Sequence, residues 1–148
     1  MSTIFYQGYN ENTLQGNEFT VDVGTVTYDT VNNTASIDDP LLPITLEITG
    51  LTESNGVLDL RELTNLTEIE SVNNRIAILD ITGCDQIEFL NFPDNDLTNT
   101  DDITNALNAE LTNGYMNLSG DNNLKLTSDR LDHRYLLMES AWRLEYNP

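Results

Sequence analysis

Cationic side chains are scarce in this chain. Six Lys and Arg stand against 25 Asp and Glu, for a formal net charge of −19. Such a body repels phosphate backbones and anionic leaflets, which excludes binding to nucleic acid or a membrane surface through its own field. Cysteine is reduced to Cys84, so a single chain can form neither a disulfide framework nor a thiolate zinc site. No apolar run approaches a membrane span, and Met1 to Asn10 carries neither the basic start nor the apolar stretch of a secretory signal. Histidine occurs once, at His133, between Asp132 and Arg134 and off the apolar stripe of its segment, the place of an exposed surface residue. Gly-rich phosphate loops, a Ser-His-Asp set in recognisable context and His/Cys metal spacings do not occur.

What is present is regular apolar patterning, which sets the chain apart from a disordered acidic one. Its 148 residues suffice for one domain, able to bury roughly 70% of the surface its unfolded form exposes. Residues 1–50 read as an N-terminal β region. Phe19 to Val23 alternates apolar and polar residues. Val26 to Val31 is rich in β-branched residues and runs through Asn32-Asn33-Thr34 into Ala35-Ser36-Ile37, a hairpin signal. Ile44 to Thr49 resumes the alternation. Ile4, Phe5, Tyr6 and Tyr9 form an apolar patch near the N-terminus, readable as core, as an added strand or as a docking arm.

Residues 51–148 begin with an internal repeat. Residues 57–77, moved along by 21 positions, fall on 78–98. Val57 meets Ile78, Leu58 meets Leu79, Asp59 meets Asp80, Ile69 meets Leu90, Asn74 meets Asn95 and Ile76 meets Leu97. A period in the low twenties signals stacked coils, none of which buries its apolar face alone. Within the unit the spacing is Leu66-x-x-Ile69-x-Ser71-x-x-Asn74-x-Ile76, then Ile87-x-x-Leu90-x-Phe92-x-x-Asn95-x-Leu97. This resembles the leucine-rich repeat, L-x-x-L-x-L-x-x-N-x-L, with a departure at Ser71. Ile69, Leu90 and Phe92 are then inward-facing scaffold residues. Asn74 and Asn95 turn the chain while their amides satisfy backbone groups of adjacent coils. Cys84 takes the core position of Leu63 and reads as a small buried hydrophobe.

Beyond the repeat, Thr100 or Asp101 caps a helix carrying Ile103, Leu107 and Leu111 on one stripe, stopped by Asn113-Gly114. Tyr115 to Leu118 reads as a strand, Thr127 or Ser128 caps a second helix running to about Ser140, and Trp142 to Tyr146 ends as a strand. This ending resembles the terminal cap of small leucine-rich-repeat-like proteins of bacteria and their phages, with Ala141 where those caps carry Gly before the Trp. The expected fold is therefore a β-rich α+β chain, an N-terminal β region followed by a short leucine-rich-repeat-like solenoid with a helical C-terminal cap.

Adjacent carboxylates occur in several places, Asp38/Asp39 and Asp101/Asp102 among them, so no pair stands out as an acid and base. Asp94-Asn95-Asp96 and Asp121-Asn122-Asn123 offer oxygen ligands without the spaced loop of a calcium site. No catalytic, cofactor-binding or metal-ligating residue is assigned. The resemblance implies a non-enzymatic structural accessory of a phage virion, decorating the capsid or associated with the tail. Its partners are then other virion proteins, or further copies of itself. The alternative is a bacterial recognition or adhesion module binding protein or glycan through its repeat face.

Overall fold

The structure, a computed structural model, describes residues 1–8, 14–38, 41–111, 113–119 and 142–146. Period-two patterning forms the first strands. β1 (Ser2–Gln7) turns Ile4 and Tyr6 inward and Thr3, Phe5 and Gln7 outward. β2 (Phe19–Val21) is followed by the hairpin of β3 (Val26–Asp29) and β4 (Thr34–Ile37), and then by β5 (Ile44–Ile48). In the hairpin turn Asn33 adopts φ 58, and the Asp29 carboxylate accepts the N–H groups of Val31 and Asn32 at 3.1 Å each.

From residue 56 the chain winds between two sheets. β6 (Gly56–Asp59) and β8 (Ile76–Asp80) belong to one; β7 (Leu66–Ser71), β9 (Phe89–Asn91), β10 (Tyr115–Leu118) and β11 (Arg143–Tyr146) belong to the other. The five-stranded sheet runs β3-β4-β1-β6-β8 and the six-stranded sheet β11-β10-β9-β7-β5-β2. Coil-to-coil pairs are parallel, and the 21-residue offset is their register: Val57 lies beside Ile78, Asp59 beside Asp80, Ile69 beside Leu90 and Glu70 beside Asn91. The first fifty residues extend both sheets at the N-terminal end. β1 pairs antiparallel with both β4 and β6, while β2 pairs antiparallel with β5, which lies parallel to β7.

The three-residue gap in Leu66-x-x-Ile69 has a local cause. Ile44 and Thr45 face Leu66 and Glu68, leaving Thr67 as an extra residue whose hydroxyl donates to the Ile44 carbonyl at 3.2 Å. Ala77 is the equivalent extra residue of β8. Each bulge re-phases its strand so that Leu66 and Ile69, like Ile76 and Leu79, all point inward. Apolar residues from both sheets form one buried cluster, with Cys84 fully inside it beside Ile81 and Ile87 in sequence.

The expectation of an α+β chain with a helical cap is corrected. The protein is almost all β, in a β-solenoid-like arrangement, with no helical C-terminal cap apparent among the described residues. One helix is described, α1 (Thr100–Ala106), seven residues long, entered from the N-cap Asn99. It is shorter than the apolar stripe implied because Leu107 turns to extended backbone and the Asn108 side chain accepts the Glu110 N–H at 2.9 Å, an Asn side chain competing with helical hydrogen bonds. The stripe divides accordingly, Ile103 within the helix and Leu107 and Leu111 beyond it. The six-stranded sheet then continues through β10 and β11. The second expected helix, with His133 and most of the proposed cap, lies outside the described residues.

Gly114 and Trp142 meet where the chain closes against this sheet. A Cβ on Gly114 would stand 2.2 Å from the indole ring, and the ring N–H donates to the Leu111 carbonyl at 2.8 Å. Asn113, at φ 60, makes the turn that presents Gly114 to the ring.

Candidate functional site

The inter-coil connections are built from asparagine. Asn74 donates from its amide nitrogen to the Ile48 carbonyl at 2.8 Å, and its amide oxygen accepts the Leu51 N–H at 3.1 Å. One coil on, Asn95 donates to the Ser71 carbonyl at 2.8 Å and accepts the Asn74 N–H at 3.0 Å. Both residues are buried, so each side chain supplies backbone groups that water does not reach. Asn33 does the same at the N-terminal end, accepting the Leu14 N–H and donating to the Tyr6 carbonyl. Ser71, the departure from the repeat pattern, is fully buried and belongs to this ladder. Its hydroxyl accepts from the Asn74 amide at 2.8 Å and lies 3.4 Å from the Asn95 amide oxygen. Ile69, Leu90 and Phe92 are fully buried in the core.

Two side chains cover strand edges, and neither role was visible in the pattern. Asn99 presents its amide to β8 as a neighbouring strand would, accepting the Leu79 N–H at 3.2 Å and donating to the Leu79 carbonyl at 2.9 Å. The Tyr28 hydroxyl does this for β2, accepting the Phe19 N–H at 2.8 Å. Covered edges discourage pairing with other chains. The only sequence signal was residue type, because Asn99 lies 20 residues from Leu79 and Tyr28 nine residues from Phe19.

Two flat outer faces remain. On the six-stranded sheet, Phe89 and Tyr115 lie in register and stack at 5.2 Å between ring centroids. The Arg143 guanidinium lies 4.5 Å from the Tyr115 ring centre, and the Tyr115 hydroxyl donates to the Glu145 carboxylate. Burial and that carboxylate raise the Tyr115 pKa above its ordinary value. The five-stranded sheet presents Phe5 and Ile78, 43% and 40% exposed, around the half-buried Val57. Val57 is lateral to both Gln7 and Ile78, and Phe5 is one step diagonal to it. Asp59 and Asp80 lie in the adjoining row, bridged by Arg61 at 2.8 and 3.3 Å.

Of the residues considered for docking, Ile4 and Tyr6 are buried at 0% and 3% exposure, because alternation in β1 sends them into the core. Phe5 faces outward, and Tyr9 lies outside the described residues. The Asp94–Asp96 turn is occupied by its own chain. Asn95 is committed to the ladder, and Asp96 pairs with Arg75 at 3.4 Å. Asp121–Asn123 lies outside the described residues. Among the described residues no group of three His, Cys, Asp or Glu side chains converges to hold a metal ion. The Cys84 thiol donates to the Leu60 carbonyl at 3.2 Å, and burial, reinforced by Asp80, Asp59 and Asp85, pushes its pKa up to about 12. A thiol so protonated is a poor nucleophile.

Comparison with protein-family models, with curated proteins and with solved structures finds no match for this chain.

Proposed function

We propose that the protein is a non-enzymatic structural accessory of a phage virion, a capsid decoration in the first instance and a tail-associated component otherwise. One observation supports it above the others. Parallel coils locked by the buried Asn74–Asn95 ladder hold two flat outer faces, which suits display and docking on a larger assembly. A net charge of −19 keeps free copies apart until they are captured. Low affinity per copy is enough on a repeating lattice, where neighbouring sites act together. The phage assignment comes from the sequence of the chain's ending, Asn113-Gly114 and Trp142 to Tyr146 among it, which resembles the ending of small leucine-rich-repeat-like proteins of bacteria and their phages. The test is the protein content of purified virions: the chain is expected in many copies, and its absence from them ends this reading.

A second reading is favoured by the Phe89–Tyr115–Arg143 ladder, a recognition module that presents this face to a protein or glycan. Export of the native gene product to the cell surface, with no virion incorporation, would decide for it.

A further inference from the structure

Resting on the reading of the protein as a docking scaffold, we infer that the outer face of the five-stranded sheet takes a protein segment whose apolar side chains alternate with Lys or Arg. The apolar component is explicit. Val57 and Ile78 lie side by side on β6 and β8, and Phe5 on β1 stands diagonal to Val57; Phe5 and Ile78, the ends of this apolar strip, are two-fifths exposed. Hydrophobic residues scattered singly need no explanation, but three that adjoin across strands form a contact surface.

The charge around the strip specifies the partner. Asp59 and Asp80 continue the row of Phe5 and so lie beside Val57 and Ile78, and Glu53 packs beside Gly8 where β1 ends. Glu62 accepts the Thr3 N–H at 3.3 Å on the same sheet. A groove of 560 Å³ continues from Ile78 between β8 and α1, with Asp80 and Asp102 among its lining residues and Leu79 and Ala106 as apolar walls. A second hollow of 280 Å³ lies at the other end, lined by Phe5, Val57, Asn33 and Asp59. Arg61 is the cation seen on this face among the described residues, and it is engaged by Asp59 and Asp80. An apolar strip edged by carboxylates disfavours an acidic partner, a second copy of this chain included, and favours one that brings cations to the rim.

The opposite face lacks this character. There the aromatic rings stack on each other and beneath Arg143, so their apolar surface is already covered.

The experiment titrates a short synthetic peptide of alternating Leu and Lys into the isotope-labelled full chain and follows backbone amide resonances. Saturable shifts are expected at Phe5, Val57 and Ile78 and not at Phe89 or Tyr115. A peptide with Ser in place of Leu carries the same charge and is expected to bind about tenfold more weakly, as is the original peptide to Ile78→Ser. Arg61→Ala, which takes the guanidinium off both carboxylates, is expected to tighten binding about threefold. Equal binding of the Leu and Ser peptides, shifts spread evenly over both faces, or unchanged affinity in both Ile78→Ser and Arg61→Ala would overturn the inference. Virion content is a separate readout. A chain absent from virions that still binds the peptide at this strip retires the virion reading alone, and the converse retires this inference alone.

Discussion

The two sheets share one core and one winding of the chain, yet their outer faces have been left in different states. On the six-stranded sheet the half-buried rings of Phe89 and Tyr115 find each other, Arg143 covers the second ring, and Glu145 accepts the phenol's hydrogen bond. On the five-stranded sheet Phe5 and Ile78 stand open beside carboxylates that Arg61 bridges. A parallel stack places equivalent residues side by side, so like residues meet in ladders. Where the ladder satisfies itself, as Phe89–Tyr115–Arg143 does, its first effect is to stiffen the coil. Where apolar surface stays uncovered, as at Val57–Ile78, it is available to something else.

Substitutions can break this comparison, and the largest effect is expected in the buried ladder beneath both faces. Asn95→Ala strands the Asn74 N–H and the Ser71 carbonyl and should cost about 3 kcal/mol in urea unfolding. Asn91→Ala, four positions earlier on the outer face, should change stability by less than about 0.5 kcal/mol. Asn91 is a fair control because its amide oxygen has no hydrogen-bond partner among the described residues.

Gly114→Ala is next, with a loss of about 2 kcal/mol and a red-shifted Trp142 emission, because the added methyl meets the indole ring. The comparison of faces is sharpened by Tyr115→Ala against Ile78→Ser. The former removes a stack and a cation–π contact and should cost about 1 kcal/mol. The latter should leave the unfolding midpoint almost where it was while weakening peptide binding about tenfold.

The smallest effects are expected in pH titrations of stability. Asp59 is held below the ordinary carboxylate value of 3.8 by its hydrogen bonds from Arg61, and Asp29 by the Asn32 amide. Lowered folded values mean their contribution is complete above about pH 4 and is lost as pH falls below 3.8. Cys84 acts with the opposite sign. Its folded pKa is raised from 9.0 to about 12, so its contribution is complete below pH 9.0 and is lost as pH rises toward 12. Arg61→Ala should shrink the Asp59 part of the acid limb, the residue-61 N–H still donating to that carboxylate, and leave the alkaline limb unchanged.

Much of the scaffold was legible because a solenoid writes its geometry into sequence spacing. The offset between Ile69 and Leu90 is a lateral register, and an Asn repeated at that offset bonds the backbone of the coil before it. Other features depend on contacts that no local pattern carries. Nothing in Ser2–Gln7 announces that β1 lies antiparallel between β4 and β6, which is decided by strands 30 and 50 residues away. The first helix was read too long because the stripe of Ile103, Leu107 and Leu111 fits a helix, while the chain turns extended at Leu107 and the Asn108 side chain closes a turn. Ser71 looked like an error in the repeat and is a member of the amide ladder. The facing of the N-terminal apolar patch was not legible for the same reason. An apolar patch at Ile4, Phe5 and Tyr6 was visible, but only the pairing partners of β1 tell which of the three faces water.

The central claim is that successive coils lie in parallel register one repeat apart, and the direct measurement is the pattern of backbone proton contacts between β7 and β9 in solution. The stacked coil places Glu68 against Phe89, Ile69 against Leu90 and Glu70 against Asn91, all in the same direction. Nuclear Overhauser contacts joining those three pairs are the expected result. Antiparallel contacts, or none between Ile69 and Leu90, would contradict the architecture on which both docking faces are built.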